Sequence, residues 1–167
     1  MKPAIPLLSI LRSGTLLLIS CTWLLSCHPV DLYERTTVIP GHSWKSSFKP
    51  SFDFTIQDTA AAYNVFLVLR HSDKYDFNNI YVNIGAKQPG TDSAQKVRYD
   101  LRLGSDAEGW LGTGMDDIYE HRILLTPKDQ RFYFRKPGTY TFTVEQLMRE
   151  DPLLHVLNVG IRIEKLP

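Results

Sequence analysis

The sequence predicts an all-β fold, an antiparallel β-sandwich of jelly-roll or immunoglobulin-like type, and three observations carry that expectation. Apolar and polar residues alternate with period two in several segments, turn residues separate those segments, and only one short stretch reads as helix. Phe48, Phe52, Phe54 and Ile56 share one parity, with Asp53 and Thr55 on the other. Residues 65–69 are apolar on both faces, as a strand covered from two sides requires, and residues 123–125 read the same way. Ile80, Val82 and Ile84 make a shorter alternation. Val97, Tyr99, Leu101 and Leu103 against Arg98, Asp100 and Arg102 form the clearest half-buried strand. Between those two strands, residues 88–93 are a polar loop containing Pro89 and Gly90. Pro137 followed by Gly138 suits a type II turn, after which Tyr140, Phe142 and Val144 alternate with threonines. Residues 145–150 read as one short helix. Leu157, Val159, Ile161 and Ile163, alternating with Asn158, Gly160, Arg162 and Glu164, supply a last strand that ties down the C-terminal end.

Composition narrows the function classes. A length of 167 residues suits one domain, and 43% hydrophobic with 11% aromatic residues is too apolar for a disordered chain. Nineteen Lys and Arg stand against 18 Asp and Glu. The first 26 residues hold Lys2 and Arg12 and no acid, so removing them takes the net charge from +1 to −1. Binding to nucleic acid draws on clustered, unopposed cations, which this balance excludes. The two cysteines, Cys21 and Cys27, build neither a disulfide framework nor a cysteine-rich zinc site.

The N-terminal segment carries the sharpest signal. Lys2 and Arg12 are its only charges, and residues 16–25 are an uncharged, largely apolar run. Spanning a bilayer takes ~20 apolar residues, so the run is too short for an ordinary anchor. A basic start, a short apolar core and a small residue before the cut describe a secretory signal peptide. Ser26 is that small residue, and Leu24, Leu25, Ser26 and Cys27 resemble a lipobox, in which the cysteine is lipidated on sulfur and becomes the new N-terminus. A single acyl chain binds membranes only marginally, whereas two or three hold durably. Cys21 also fits a lipobox, but cleavage there would leave Trp23, Leu24 and Leu25 on the mature chain. The expected organisation is a signal peptide over 1–26, a lipidated tether over 27–36, with a strand beginning already at Leu32 and Tyr33 as the alternative, and a β-sandwich over 37–167. Cleavage before Cys27 removes Cys21 and lipid consumes Cys27, which leaves no free thiol for disulfide, thiol or metal chemistry.

Several blocks of residues together resemble the gliding motility lipoprotein GldH family of Bacteroidota. Leu25, Ser26 and Cys27 are followed by Leu32, Tyr33 and Glu34, then by Trp44 ahead of the Phe-rich strand. Tyr63-Asn64-Val65-Phe66 leads to Leu69-Arg70 and on to Tyr75-Asp76-Phe77-Asn78-Asn79-Ile80-Tyr81. Gly109-Trp110-Leu111-Gly112-Thr113-Gly114 comes next, and Pro137-Gly138-Thr139-Tyr140-Thr141-Phe142 runs through residues 146–149 to residues 158–163. The resemblance implies a cell-envelope lipoprotein that supports gliding in motile members and is associated with type IX secretion machinery. It implies a membrane attachment through lipid on Cys27, partners among envelope proteins of that machinery, no nucleic acid, no cofactor and no catalytic residue. Residue 28 is His rather than Asp, so the usual inner-membrane retention signal is missing. The expected place is therefore the outer membrane, facing the periplasm, with Asp31 and Glu34 a thin acidic stretch of the kind linked to surface export.

Other candidate chemistry is weak. Trp44, Trp110 and Tyr119 are the aromatics expected on loops, where they would contact a partner or ligand; a carbohydrate- or peptidoglycan-binding sandwich is the alternative function they suggest. For Trp110 the alternative is a cap on the core above a glycine-rich connection that lacks the lysine of a P-loop. Asp116, Asp117 and Glu120 fall short of the six to eight oxygens that calcium takes. Asp73, Asp76, Asn78 and Asn79 suit a turn. His42, His71, His121 and His155 are scattered with no HExxH or HxH pair, so zinc is not expected. Ser43, Ser46, Ser47 and Ser51 sit in no nucleophile elbow.

Overall fold

In the computed structural model the described residues are 32–167, which belong to one structural unit. The expected signal peptide and Cys27 lie outside them. Thirteen strands follow in chain order: β1 (Leu32–Val38), β2 (Ser43–Trp44), β3 (Ser51–Ile56), β4 (Tyr63–Ser72), β5 (Asn79–Lys87), β6 (Ala94–Arg102), β7 (Gly104–Ser105), β8 (Gly109–Trp110), β9 (Thr113–Met115), β10 (Ile118–Leu124), β11 (Gly138–Gln146), β12 (Leu153–Leu154) and β13 (Val156–Lys165). A single 3-10 turn, Pro40–His42, is the helical structure among the described residues. One sheet has the order β1-β13-β4-β10-β9 and the other β3-β11-β5-β6, with antiparallel pairing throughout. With the short strands set aside, the long ones numbered one to eight lie in the orders 1-8-3-6 and 2-7-4-5. That is two interlocked Greek keys, a jelly roll, and it decides between the two sandwich types expected from the sequence.

The alternation works as predicted where one face of a strand meets the opposite sheet. Phe52, Phe54 and Ile56 of β3 point inward, as do Tyr140, Phe142 and Val144 of β11 and Ile80, Val82 and Ile84 of β5. Phe54 stands at the centre of an aromatic cluster with Tyr33, Phe134, Tyr140 and Phe142, at centroid distances of 5.2 to 5.8 Å. On β4 the inward residues are buried, and on its other face Val68 is covered as fully as Leu67 and Leu69, whereas Phe66 is half-buried and Arg70 exposed, so the two-sided burial expected for 65–69 holds only at its centre. Residues 123–125 do not share that fate. β9 pairs with β10 only at residues 118–120, so the far half of β10 is a sheet edge and Ile123 is half-buried.

Four expectations need correction. Leu32–Val38 is strand β1, paired along its length with β13, so the folded body begins inside the stretch assigned to a tether over 27–36. Residues 145–150 form no helix: Glu145 and Gln146 end β11 and residues 147–150 are irregular. The Gln146 side chain explains this, since its amide donates to the Trp44 and Glu150 carbonyls, both at 3.4 Å, and its oxygen accepts the Met148 N–H at 2.8 Å. Such local side-chain bonds compete with helical ones. In β13 the register shifts between Val156 and Asn158, and the bulge gives the core Val156 in place of the expected Leu157. Finally, Trp44 is wholly buried, as the next subsection describes.

Candidate functional site

The three aromatics proposed as contacts have different fates. Trp44 is 0% exposed: the β2–β12 pairing sets it opposite Leu153, and its indole N–H donates to the Phe48 carbonyl at 2.8 Å. It belongs to the core and is not a loop contact. Its strand is two residues long, too short for any alternation to reveal which way the ring points. Trp110 and Tyr119 are half-buried and meet at one end of the sandwich, with centroids 5.7 Å apart. Both lie against His71. Trp110 contacts its ring edge to face at 4.4 Å, Tyr119 stacks on it at 5.8 Å, and Tyr75 closes a third side at 5.0 Å.

His71 is itself paired. Pairing of β4 with β10 sets Tyr119 opposite His71 and His121 opposite Leu69, so the two histidines are diagonal neighbours on one face. Their Nε2 atoms are 2.9 Å apart and the rings stack at 4.9 Å. His71 Nδ1 lies 2.7 Å from the Ser72 carbonyl, which can only accept, so Nδ1 carries the proton and Nε2 offers its lone pair. His121 then donates its Nε2–H. Both rings are neutral in this arrangement, and burial pushes both away from the charged form: His71 is lowered, and His121 is lowered to about 4, with His71 itself a further cause. Two of the four histidines read as scattered therefore meet. The parity of His71 with Leu67 and Leu69 was the available sign that it points inward. As a metal site the pair falls short, because each Nε2 faces the other and no group of three or more His, Cys, Asp or Glu is gathered among the described residues.

Of the acids near this end, Glu120 is ion-paired, and Asp73 and Asp117 meet through their backbone. Glu120 bridges Arg70 at 2.5 Å and Arg122 at 2.9 Å. The Asp117 carbonyl accepts the Asp73 N–H at 2.8 Å, and the Asn78 carbonyl accepts those of Leu103 and Gly104. These are turn and strand-end contacts.

The opposite end holds a feature that sequence reading missed. Between the first half of β4, the end of β5, the start of β6, the first half of β11 and the segment from Leu125 to Lys136 lies a cavity of about 730 Å³. Val65, Ile84, Phe134, Tyr140 and Phe142 form its inner walls. Val97 shares the inward face of β6 with buried Leu101, yet is 51% exposed on the cavity wall. Alternation reports which face of a strand is apolar. It does not report whether another sheet covers that face, and here β6 and the far half of β10 are both edges.

The profile of the family described as GldH lipoprotein matches residues 31–163. The chain belongs to the GldH lipoprotein family. The match spans the whole jelly roll up to Ile163, so the fold described above is the body of a GldH lipoprotein. Among curated relatives, the gliding motility lipoprotein GldH of Flavobacterium johnsoniae is 26% identical over 164 residues, covering 93% of this chain and 98% of that one. A GldH homolog of Christiangramia forsetii is 25% identical over 148 residues, covering 84% and 87%. The solved structure of the infectious bursal disease virus VP2 subviral particle has a TM-score of 0.34 and 12% identity, covering 82% of this chain and 31% of that one. The jelly-roll assignment rests on strand order and owes nothing to that likeness.

Proposed function

We propose that this chain is a non-enzymatic cell-envelope lipoprotein that supports gliding motility and is associated with type IX secretion machinery. Acyl chains on Cys27 hold it on the outer membrane, facing the periplasm. The observation that carries this reading is the family match, which runs across the folded body and is joined by a relative aligned over 98% of its length whose name states gliding motility. The lipobox at Leu24, Leu25, Ser26 and Cys27 supports the anchor, and His28 supports the outer membrane over the inner. A non-enzymatic role is supported by the state of the buried histidines, whose donor and acceptor atoms are spent on each other and on the Ser72 carbonyl. A carbohydrate- or peptidoglycan-binding role retains only Trp110 and Tyr119 of its three aromatics, and both rings are packed on His71.

The test is a deletion strain complemented with the natural gene and with Cys27→Ala. Loss of gliding and of secretion in the deletion, restored by the natural gene and not by C27A, is the expected result. Mass spectrometry of the purified protein should find residue 27 acylated at a new N-terminus. Normal motility and secretion without the gene would end the proposal.

A further inference from the structure

The cavity between the sheets is apolar, open to solvent and charged with one sign, and we propose that it binds a single hydrocarbon chain with a carboxylate head, a long-chain fatty acid. Its volume of about 730 Å³ falls within the ~300–1,000 Å³ of small-ligand pockets. The walls are what a chain of methylenes needs. Val97 lies on the inward face of β6 with no opposing side to cover it, and half-buried Leu125 and Phe132 line the same space. Packed sheets stand ~10 Å apart, and the small side chains of Ala86 and Val97 keep the β5–β6 wall low across that gap. An apolar surface left uncovered by its own chain is one that a ligand covers favourably.

Two of the polar groups on the walls are spent on backbone. Tyr99 donates its hydroxyl to the Leu125 carbonyl at 3.3 Å. Tyr140 donates to the Lys136 carbonyl at 3.0 Å and accepts the Lys136 N–H at 3.2 Å. The hydroxyls of Tyr99 and Tyr140 are thus committed to backbone, while Gln88, Gln95, exposed Tyr133 and the buried Thr126 hydroxyl, which has no hydrogen-bond partner among the described residues, also line the cavity. The charges select the head. Among the described residues, Arg135 and Lys136 are the charged ones that line the cavity, and no acid does. Both are exposed, and neither makes an ion pair among the described residues. The Tyr140 bonds to Lys136 hold this cationic pair at the cavity, in place for a carboxylate.

The proposal does not depend on lipidation or motility, so its test uses the full-length protein as purified from whichever cell fraction holds it. A diazirine-bearing hexadecanoate is added and photolysed, and labelled peptides are mapped by mass spectrometry. Label is expected on peptides covering residues 84–99 and 125–136, and not around Trp110. Ala86→Trp, which fills the slot, should reduce labelling at least tenfold. The double variant R135E/K136E, which changes only exposed side chains and leaves the core intact, should reduce it at least fivefold. Unlabelled hexadecanoate should compete better than hexadecanol, and each methylene removed from the competitor should weaken it about threefold to fourfold. Label spread evenly along the chain, labelling unchanged in R135E/K136E, or equal competition by acid and alcohol would each overturn the assignment.

Discussion

His71 and His121 share one proton between Nε2 atoms 2.9 Å apart, inside a ring of aromatic side chains, and both stay neutral in the folded protein. That geometry has a pH consequence. Unfolded histidines take up protons near pH 6.5. In the fold both are lowered by burial, His121 to about 4. Between those values the unfolded state binds more protons, so stability rises with pH across the window. It is fully present above about pH 6.5 and is lost as pH falls towards 4, by on the order of 2–4 kcal/mol. Urea midpoints measured from pH 7.5 to 4 should fall through this range. Glu145, lowered by its bond to Lys49, adds an acid-side loss that begins only near the carboxylate range. His121→Leu should flatten the slope above pH 4.5, and a slope unchanged in that variant would place its origin elsewhere.

Gly112 lies against the same pair. A Cβ there would stand 2.6 Å from the Glu120 carbonyl oxygen and 2.9 Å from His121 Nε2. The obstacle is strand backbone, which cannot step aside. At Gly114 the corresponding atom would meet the Tyr119 ring at 2.9 Å, and a half-buried ring can move. Gly112→Ala should therefore cost about 1–3 kcal/mol and Gly114→Ala distinctly less. Thermal midpoints of the two variants check the order. Equal midpoints would show that the glycine-rich loop gives way as a whole.

What could be read from the sequence follows from what alternation measures. Phe52, Tyr140 and Val82 were legible because each sits on a strand with one face against the opposite sheet. β1 was not, since it is an edge strand on which Tyr33 is the residue packed against the core, and a strand so little buried shows little pattern. The bulge at Val156 inserts a residue that period counting has no means to see. The His71–His121 contact depends on how two strands 50 residues apart in sequence are paired. The cavity depends on where the second sheet stops, a property of no local segment.

Trp44 offers a direct check on the core. Its indole is fully buried with its N–H bonded to the Phe48 carbonyl. Trp44→Ala should cost about 3–5 kcal/mol, and Trp44→Phe less, because the ring volume is largely kept. Acrylamide should leave the Trp44 emission unquenched while reaching part of that from Trp110. Quenching in a Trp110→Phe variant as strong as in the parent would contradict the buried placement.

Gly160 governs how the first strand is held. It sits opposite Thr36 in the β13–β1 ladder, and a Cβ there would meet the Arg35 carbonyl oxygen at 2.3 Å and the Thr36 Cα at 2.8 Å. Because β1 is an edge strand whose ladder partner is β13 alone, the strain has one outlet, which is to lift β1 away. On the outer face Arg162 grips Glu34 at 2.6 Å, a contact that ties the same two strands from side chain to side chain. A half-buried ion pair of this kind contributes little beside a backbone clash, so Glu34→Ala should cost about 1 kcal/mol or less and Gly160→Ala about 2–3 kcal/mol. Hydrogen exchange separates a local from a global effect. In Gly160→Ala the amides of residues 32–38 should exchange faster by tenfold or more while those of β4 keep their protection. Retained protection across β1 in that variant would mean that β13 absorbs the added methyl without releasing its neighbour. A lifted β1 also becomes a protease site between Cys27 and the rest of the jelly roll, so limited proteolysis should cut Gly160→Ala within residues 32–38 and leave the parent protein whole.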